Sequence, residues 1–221
     1  MDLFEYQAKK TSRQAMPLAE RMRPVHLDEF TGQAHVVGRG TLVRSAIEND
    51  RIFSMILWGP PGCGKTTLAR IMAGETSSHF VQFSAVLAGV RQIRSVIGEA
   101  RDQQKMYRKK TILFVDEIHR FNKAQQDEFL QHVESGLITL VGATTENPSF
   151  EVIPALMSRC RVIVLKPFSL EEIKTILARA LADKVNGLGS DNLTIAPDAL
   201  EHLAAIAGGD VRSALNGLEM A

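Results

Sequence analysis

One run of consecutive residues constrains the fold of this chain more than any other. The run comprises Gly59, Pro60, Pro61, Gly62, Cys63, Gly64, Lys65, Thr66 and Thr67. It matches G-x-x-x-x-G-K-[ST], the pattern of the phosphate-binding loop of nucleoside triphosphatases. An apolar run of strand length precedes it at residues 53–58, and a helical pattern follows at residues 68–73. This order of strand, loop and helix makes a chance glycine-rich turn the weaker interpretation.

The residue types in this run suit the binding of a nucleoside triphosphate. Glycines let the backbone wrap closely around a phosphate, and successive N–H groups at a helix N-terminus form a concave anion site. Lys65 adds a positive charge for the β- and γ-phosphates, and the Thr66 hydroxyl is expected to ligate Mg²⁺. Cys63 contributes chiefly backbone to such a loop, so its side chain is not expected to reduce activity.

A second motif is an apolar run that ends in two carboxylates. Residues 111–115 have the pattern of a buried strand, and Asp116 and Glu117 follow them. Asp116 can hold the Mg²⁺ hydration shell near Thr66. Glu117 is placed to polarise a water for in-line attack on the γ-phosphate. One predicted strand, residues 79–84, separates the two motifs, which favours nucleoside triphosphatases with an extra strand there over nucleotide kinases or GTPases.

Polar residues also lie at one end of each of the next two predicted strands. In the strand at residues 137–145, Thr145 or its neighbour Thr144 could orient the attacking water, although simple strand capping explains them equally well. Arg159 precedes the last predicted strand, residues 162–165. An arginine there is ordinarily a salt-bridging surface residue. The alternative is an arginine finger that stabilises transition-state charge in a neighbouring subunit's site.

A predicted helix at residues 89–107 carries a basic stripe. Its members are Arg91, Arg94, Arg101, Lys105 and Arg108. Such a stripe indicates either a solvated helix face or a surface for nucleic acid. His119 and His132 have no metal-type partners at ligand spacing, so we interpret both as ordinary surface or supporting groups.

Composition limits the other possibilities. The chain has 221 residues and a net charge of +1, so any nucleic-acid surface must be a local patch. Its 2 cysteines have no disulfide or zinc spacing, which favours a reducing cytoplasmic location. No apolar run approaches membrane-spanning length, so no membrane partner is expected.

The sequence predicts three segments: a flexible arm over residues 1–16, an α/β core over residues 17–166 and a helical lid over residues 167–221. The chain stops inside a predicted helix, so we expect a fragment with a truncated lid. In the arm, Asp2, Leu3 and Phe4 resemble peptides that bind the bacterial sliding clamp, but the leading glutamine is missing. An arm that packs on its own domain or stays disordered is the favoured interpretation.

Taken together, these motifs resemble the AAA+ ATPases. The resemblance implies an α/β fold with a five-stranded parallel sheet flanked by helices, a partial all-α lid, and ATP with Mg²⁺ as cofactors. It implies that Arg212 contacts the γ-phosphate in cis and that Arg159 acts in trans. It also implies that the stretch from Arg23 and Pro24 to Gly32 and Gln33 walls an adenine pocket lined by Val36 and Val37, with main chain reading the adenine edge.

Three further runs resemble one branch, the replication-associated recombination protein A family and its eukaryotic relative, the Werner-helicase-interacting ATPase. They are residues 55–62, 116–127 and 142–150. The resemblance implies a DNA-dependent ATPase at stalled forks, duplex ends and gaps, associated with the nucleoid and working with single-stranded-DNA-binding protein. It implies a homo-oligomer assembled through a C-terminal region absent here, and phosphate contacts by Arg91 and Arg94.

Three alternatives remain open at this point. A Holliday-junction branch-migration motor has a very similar run around Asp116 and Glu117. A clamp-loader subunit shares the sequence around Arg159. A nucleotide-dependent scaffold with little turnover belongs to a different class, and the presence of Glu117 and Arg159 argues against it.

Overall fold

The computed structural model describes residues 16–84, 90–190 and 193–221. These residues form two compact units, one made of residues 25–166 and the other of residues 16–24 together with 167–221. The sequence predicts residues 17–24 as part of the α/β core, but Leu18 and Met22 are buried among apolar side chains of the helical unit. A short amphipathic segment carries no local signal for which of two cores it will join.

The larger unit is built on a parallel sheet. Its five strands follow the order β2-β3-β4-β1-β5, and all four neighbouring pairs are parallel. The strands are β1 (Met55–Trp58), β2 (His79–Ser84), β3 (Thr111–Asp116), β4 (Ile138–Thr144) and β5 (Arg161–Val164). This confirms the predicted fold class. Trp58 lies opposite both Thr144 and Val164, so the carboxyl ends of three adjacent strands are level.

Helices and two 3-10 turns precede the first strand and connect the strands. In chain order the helices of this unit are α2 (Ala34–Val37), α3 (Leu42–Glu48), α4 (Lys65–Glu75), α5 (Val90–Tyr107), α6 (Lys123–Glu134), α7 (Pro148–Glu151) and α8 (Pro154–Met157). The 3-10 turns are Leu27–Glu29 and Ile118–Arg120. α6 begins with a capping box in which Asn122 and Gln125 exchange side-chain and backbone hydrogen bonds. The predicted start of α5 at residue 89 lies outside the described residues.

Successive side chains along each strand point to opposite faces of the sheet, so the apolar core is divided between the two faces. On β1, Met55 and Leu57 join one apolar cluster, whereas Ile56 joins the other. On β3, Phe114 belongs to the first cluster, and Val115 to the second. Both faces of the central strands are therefore covered, as expected for a parallel sheet whose crossover helices lie on both sides. The rigid sheet fixes the positions from which the loops at its carboxyl edge project.

The smaller unit is entirely helical. It contains α1 (Leu18–Arg21), α9 (Leu170–Ala182), α10 (Pro197–Ile206) and α11 (Val211–Met220). Ser169 and Glu172 form a capping box at the start of α9. α9 ends at Ala182 because the Asp183 carboxylate accepts hydrogen bonds from the Val185 and Asn186 N–H groups, at 2.8 and 2.9 Å. These bonds stabilise a turn where the apolar pattern alone would continue the helix.

His132 on α6 is only 6% exposed, so it is not a surface group, which was one of the two roles expected for it. Burial first, and then the positive charge of Arg101, lowers the pKa of His132, while Glu128 opposes this shift. Within the described ranges, none of the helices has both the length and the apolar character needed to cross a bilayer.

Candidate nucleotide-binding site

The phosphate-binding loop connects β1 to α4 at the carboxyl edge of the sheet. Gly62 and Gly64 adopt positive φ angles of 65° and 100°, which residues other than glycine rarely adopt. At Gly59 the backbone passes so close to β5 that an added Cβ would lie 2.4 Å from the Leu165 carbonyl oxygen. The sequence therefore needs glycine at these positions for different reasons, two for backbone conformation and one for space.

Lys65, the first residue of α4, directs its side chain into this loop. Its Nζ donates hydrogen bonds to the carbonyl oxygens of Gly59 at 2.7 Å and Pro60 at 2.8 Å, and the residue is only 7% exposed. A buried ammonium group is stabilised only when it is hydrogen-bonded or paired with negative charge. The loop thus concentrates positive charge at the N-terminus of α4, where backbone N–H groups also favour an anion.

Oxygen ligands for a hard cation lie beside the loop. Thr66 Oγ1 is 3.5 Å from Asp116 Oδ2 at the end of β3, so the two motifs come together although 50 residues separate them in sequence. The described part of the chain contains no cluster of three or more histidine, cysteine or acidic side chains that could hold a metal. One hydroxyl and one carboxylate suit Mg²⁺, which usually takes its remaining ligands from phosphate and water.

Glu117 follows β3 in a left-handed conformation, with φ 55° and ψ 49°. This reversal starts the 3-10 turn and brings His119 Nδ1 to 3.2 Å from Glu117 Oε2. The same nitrogen lies 3.0 Å from Thr144 Oγ1 at the end of β4. Sequence reasoning missed this contact, because 25 residues separate His119 from Thr144 and no local pattern relates them.

Two threonines follow each other at the end of β4, and the structure distinguishes them. Thr144 is fully buried, and its carbonyl accepts a hydrogen bond from the Gly59 N–H at 3.2 Å. Thr145 lies just after the strand and is half-buried. It is therefore Thr144, the second choice of the sequence-based prediction, that contacts the residues around Glu117.

Arg159 lies in the turn between α8 and β5. Its Nε donates to Glu134 Oε1 at 2.6 Å, and Nη2 contacts the same oxygen. Nη1 donates to the Ala155 carbonyl at 2.5 Å and to Ser158 Oγ at 3.0 Å. Within this chain the guanidinium is thus part of a surface ion pair, the ordinary interpretation of its sequence position, and its proposed role in trans needs a second subunit.

The predicted adenine-pocket residues fall in both units. Val36 and Val37 are buried in the cluster that contains Leu57, and their N–H groups both donate to the Gln33 carbonyl, at 2.8 and 3.0 Å. The main-chain N–H groups of both valines are therefore engaged in hydrogen bonds within the chain. Arg23 and Pro24 belong to the helical unit.

Gln33 is a buried polar residue that the sequence-based site omits. Its Nε2 donates to the Lys166 carbonyl at 2.6 Å, and its Oε1 accepts from the Lys166 N–H at 3.0 Å. A longer contact of 3.4 Å joins Nε2 to the Cys63 carbonyl in the phosphate loop. Gln33 thereby fixes the loop against the chain that leaves β5. The sequence shows only that Gln33 follows a glycine, and the structure places both residues in a left-handed conformation.

The other two groups of predicted residues lie on helices. Arg212 is exposed in the first turn of α11, where its N–H donates to the Asp210 side chain at 2.8 Å. Arg91 and Arg94 are exposed on α5, and Arg94 Nε donates to Glu128 Oε1 at 3.0 Å. The basic stripe is thus accessible, with one of its members engaged in an ion pair.

Known proteins share both the sequence and the fold. Replication-associated recombination protein A of Escherichia coli K12 is 50% identical over 204 residues, which are 92% of this chain and 45% of that protein. The ATPase WRNIP1 of Dictyostelium discoideum is 47% identical over 206 residues, 93% of this chain and 23% of that protein. The chain spans about half the length, or less, of these curated relatives. The resemblance expected from the three runs is confirmed.

A solved structure matches most of the chain. The RuvB Holliday junction branch migration motor of Thermotoga maritima covers 90% of this chain and aligns over 64% of its own, with 29% identity and a TM-score of 0.72. The model of the ATPase family associated with various cellular activities matches residues 55–168, from the first strand of the sheet to just beyond the last. The chain therefore belongs to the AAA ATPase family.

Proposed function

We propose that this chain binds and hydrolyses ATP as part of a DNA-dependent ATPase of replication-associated recombination. The observation that carries the proposal is the meeting of the two motifs. Lys65 lies within the phosphate loop, Thr66 lies 3.5 Å from Asp116, and Glu117 follows directly. Phosphate binding, cation binding and a candidate general base thus occupy one edge of the sheet.

Each residue of the site has a separate role in the proposed hydrolysis. Lys65 and the loop N–H groups bind the β- and γ-phosphates, and Thr66 and Asp116 would hold Mg²⁺, Asp116 through water. When bound, Mg²⁺ neutralises charge on the phosphate oxygens. Glu117 orients and deprotonates the attacking water. Arg159 of a neighbouring subunit stabilises the transferring phosphoryl group, and Arg212 contacts the γ-phosphate in cis.

The DNA part of the proposal rests on the relatives and on α5. The 50% identical relative is named for replication-associated recombination. The exposed Arg91 and Arg94 provide positive charge for backbone phosphates at duplex ends, gaps or forks. We further propose a homo-oligomer that acts in the cytoplasm at the nucleoid, together with single-stranded-DNA-binding protein. We propose contact with the sliding clamp through residues 1–16, of which the structure describes only Met16.

A second candidate function is branch migration of Holliday junctions. It is favoured by the fold likeness to RuvB, which extends over 90% of this chain. Branch migration ranks second because the chain is 29% identical to RuvB but 50% identical to replication-associated recombination protein A. Unwinding of a four-way junction by the assembled protein, with no activity on gapped or forked DNA, would reverse this order.

Two substitutions test the ATPase proposal. Lys65→Ala removes the charge within the loop and should abolish ATP binding, measured by calorimetry or by displacement of a fluorescent analogue. Glu117→Gln preserves the shape of the side chain but not its basicity, so it should keep ATP affinity and lose turnover. ATP binding by Lys65→Ala at near wild-type affinity would contradict the assignment of the loop. Normal turnover by Glu117→Gln would exclude Glu117 as the base.

A further inference from the structure

The carboxylate of Glu117 has a neighbour that its role as a base does not explain. The imidazole Nδ1 of His119 lies 3.2 Å from Glu117 Oε2. The His119 side chain is 15% exposed and that of Glu117 is 33% exposed, so solvent only partly reaches the pair. Both side chains project from the turn that follows β3, because the left-handed Glu117 reverses the chain there.

The hydrogen-bonding groups around His119 determine which ring nitrogen carries a proton. An ionised Glu117 carboxylate only accepts hydrogen bonds, so the nitrogen facing it must be a donor. The Thr144 hydroxyl donates to the Glu146 carbonyl at 3.3 Å and accepts from the Glu146 N–H at 3.0 Å. Because the nitrogen that faces Glu117 is the donor, Thr144 Oγ1 accepts from His119 and directs its own hydrogen to the Glu146 carbonyl. A single Nδ1–H therefore faces two acceptors, one on Thr144 and one on Glu117.

Thr144 anchors this arrangement to the phosphate loop. It is fully buried as the last residue of β4, so its hydroxyl has little freedom. Its carbonyl accepts the Gly59 N–H at 3.2 Å, where the loop begins. Hydrogen bonds thus join Thr144 to Gly59 and to His119, and a 3.2 Å approach of Nδ1 to Oε2 brings His119 to Glu117.

We propose that His119 is a positioning residue for ATP hydrolysis: its Nδ1–H, held by Thr144, orients the Glu117 carboxylate. The contact with Oε2 leaves Oε1 to accept the proton of the attacking water. The inference rests on the proposed ATPase function, to which it adds a residue that acts through Glu117. Misplacing a general base by about 1 Å costs on the order of 100-fold in rate. Loss of His119 should therefore lower kcat by about 10- to 100-fold, with ATP affinity unchanged.

The kinetic test compares His119→Ala with two controls in the full chain. His119→Asn keeps an N–H donor near the position of Nδ1 and should recover most of the lost kcat. His79→Ala removes another histidine–glutamate pair, His79 Nε2 to Glu99 Oε1 at 2.8 Å, at the opposite end of the strands, and should leave kcat unchanged. Adding His119→Ala to Glu117→Gln should cause no further loss, because both act through one carboxylate. Wild-type kcat in His119→Ala, or no recovery in His119→Asn, would overturn the proposal.

A spectroscopic test separates this inference from the proposed function. Nitrogen-15 NMR of the His119 ring reports which nitrogen carries the proton. The signal should show a protonated Nδ1 whose shift changes in Glu117→Ala. An unprotonated Nδ1, or a nitrogen-15 shift that is unchanged in Glu117→Ala, would overturn the positioning role even in a protein that hydrolyses ATP. Absence of turnover in the wild type would instead contradict the proposed function, and the NMR result would still decide the role of His119.

Discussion

Glu134 on α6 holds Arg159 in place: Arg159 Nε donates to Glu134 Oε1 at 2.6 Å, and Nη2 contacts the same oxygen. The two side chains are 35% and 49% exposed, so the pair lies at the surface. A surface ion pair contributes about 0–1 kcal/mol to stability. Its stabilising effect is therefore too small to explain a large loss of activity, and this makes the role of Arg159 testable.

Arg159→Ala and Glu134→Gln break the same ion pair but should differ in activity. If Arg159 acts as a finger in a neighbouring site, its loss should lower ATP turnover by about 1,000-fold or more while ATP binding is kept. Glu134→Gln should retain turnover, because only the partner of the arginine changes. Steady-state hydrolysis and ATP affinity of both variants provide the comparison.

Mixing variants tests whether the arginine acts in trans. Arg159→Ala protein mixed with Glu117→Gln protein should regain part of the activity, because some interfaces then combine an intact Arg159 with an intact Glu117. Equal losses in Arg159→Ala and Glu134→Gln would show that only the ion pair matters. Absence of recovery in a mixture with confirmed assembly would exclude a finger in trans.

Two glycines should respond oppositely to alanine. At Gly59 the new Cβ would lie 2.4 Å from the Leu165 carbonyl oxygen, so Gly59→Ala should cost about 1–3 kcal/mol and weaken ATP binding. At Gly98 on α5, an added Cβ would meet no described atom within 4 Å apart from the neighbouring backbone of its own helix. Gly98→Ala should therefore stabilise the protein by up to about 1 kcal/mol, since alanine is the better helix former. Urea unfolding of both variants measures the difference, and equal effects would contradict the close approach of the loop to β5.

The stripe on α5 predicts a change in the salt dependence of DNA binding. Arg91→Gln and Arg94→Gln should each reduce the slope of log affinity against log salt by about 0.9, because each would remove one phosphate contact. Arg51→Gln removes an equal charge from an exposed position outside the stripe and should leave the slope unchanged. Titrations of gapped duplex DNA at several salt concentrations give the slopes. Unchanged slopes for Arg91 and Arg94 would identify the stripe as a solvated face.

Buried His132 should make stability depend on pH. Burial first, and then Arg101, lowers its pKa from the usual 6.5. Below that value the unfolded chain binds a proton that the folded chain does not, so stability should fall as pH falls through 6.5 towards the folded-state pKa. His132→Leu should remove this component, and Arg101→Gln should reduce it. Urea unfolding at about pH 7.5 and pH 5.5 tests this, and an equally steep loss in His132→Leu would contradict it.

Local patterns in the sequence predicted much of the fold. The apolar runs before Gly59 and Asp116 predicted β1 and β3, because a buried parallel strand needs a continuous apolar stretch. Ser169 and Glu172, three residues apart, form the capping box of α9, a pattern that indicates a helix start. In each case the residues that determine the structure are neighbours in sequence. The phosphate loop was recognisable because its glycines and Lys65 are consecutive or nearly so.

Contacts between distant segments were not predictable in this way. The contacts of His119 with Thr144 and of Gln33 with Lys166 join residues 25 and 133 positions apart. The burial of His132 depends on how α6 packs, because a histidine on an amphipathic helix suits either face. Likewise, the packing of Leu18 with the helical unit depends on tertiary contacts that no local pattern encodes.

The proposed function is tested most directly by measuring ATP hydrolysis against protein concentration, with and without duplex DNA that carries single-stranded gaps. A site completed by Arg159 of a second subunit should give a rate that rises faster than linearly with concentration and is stimulated by DNA. Glu117→Gln should abolish that rate. A linear rate that is indifferent to DNA, in protein that binds ATP well, would contradict a DNA-dependent site shared between subunits.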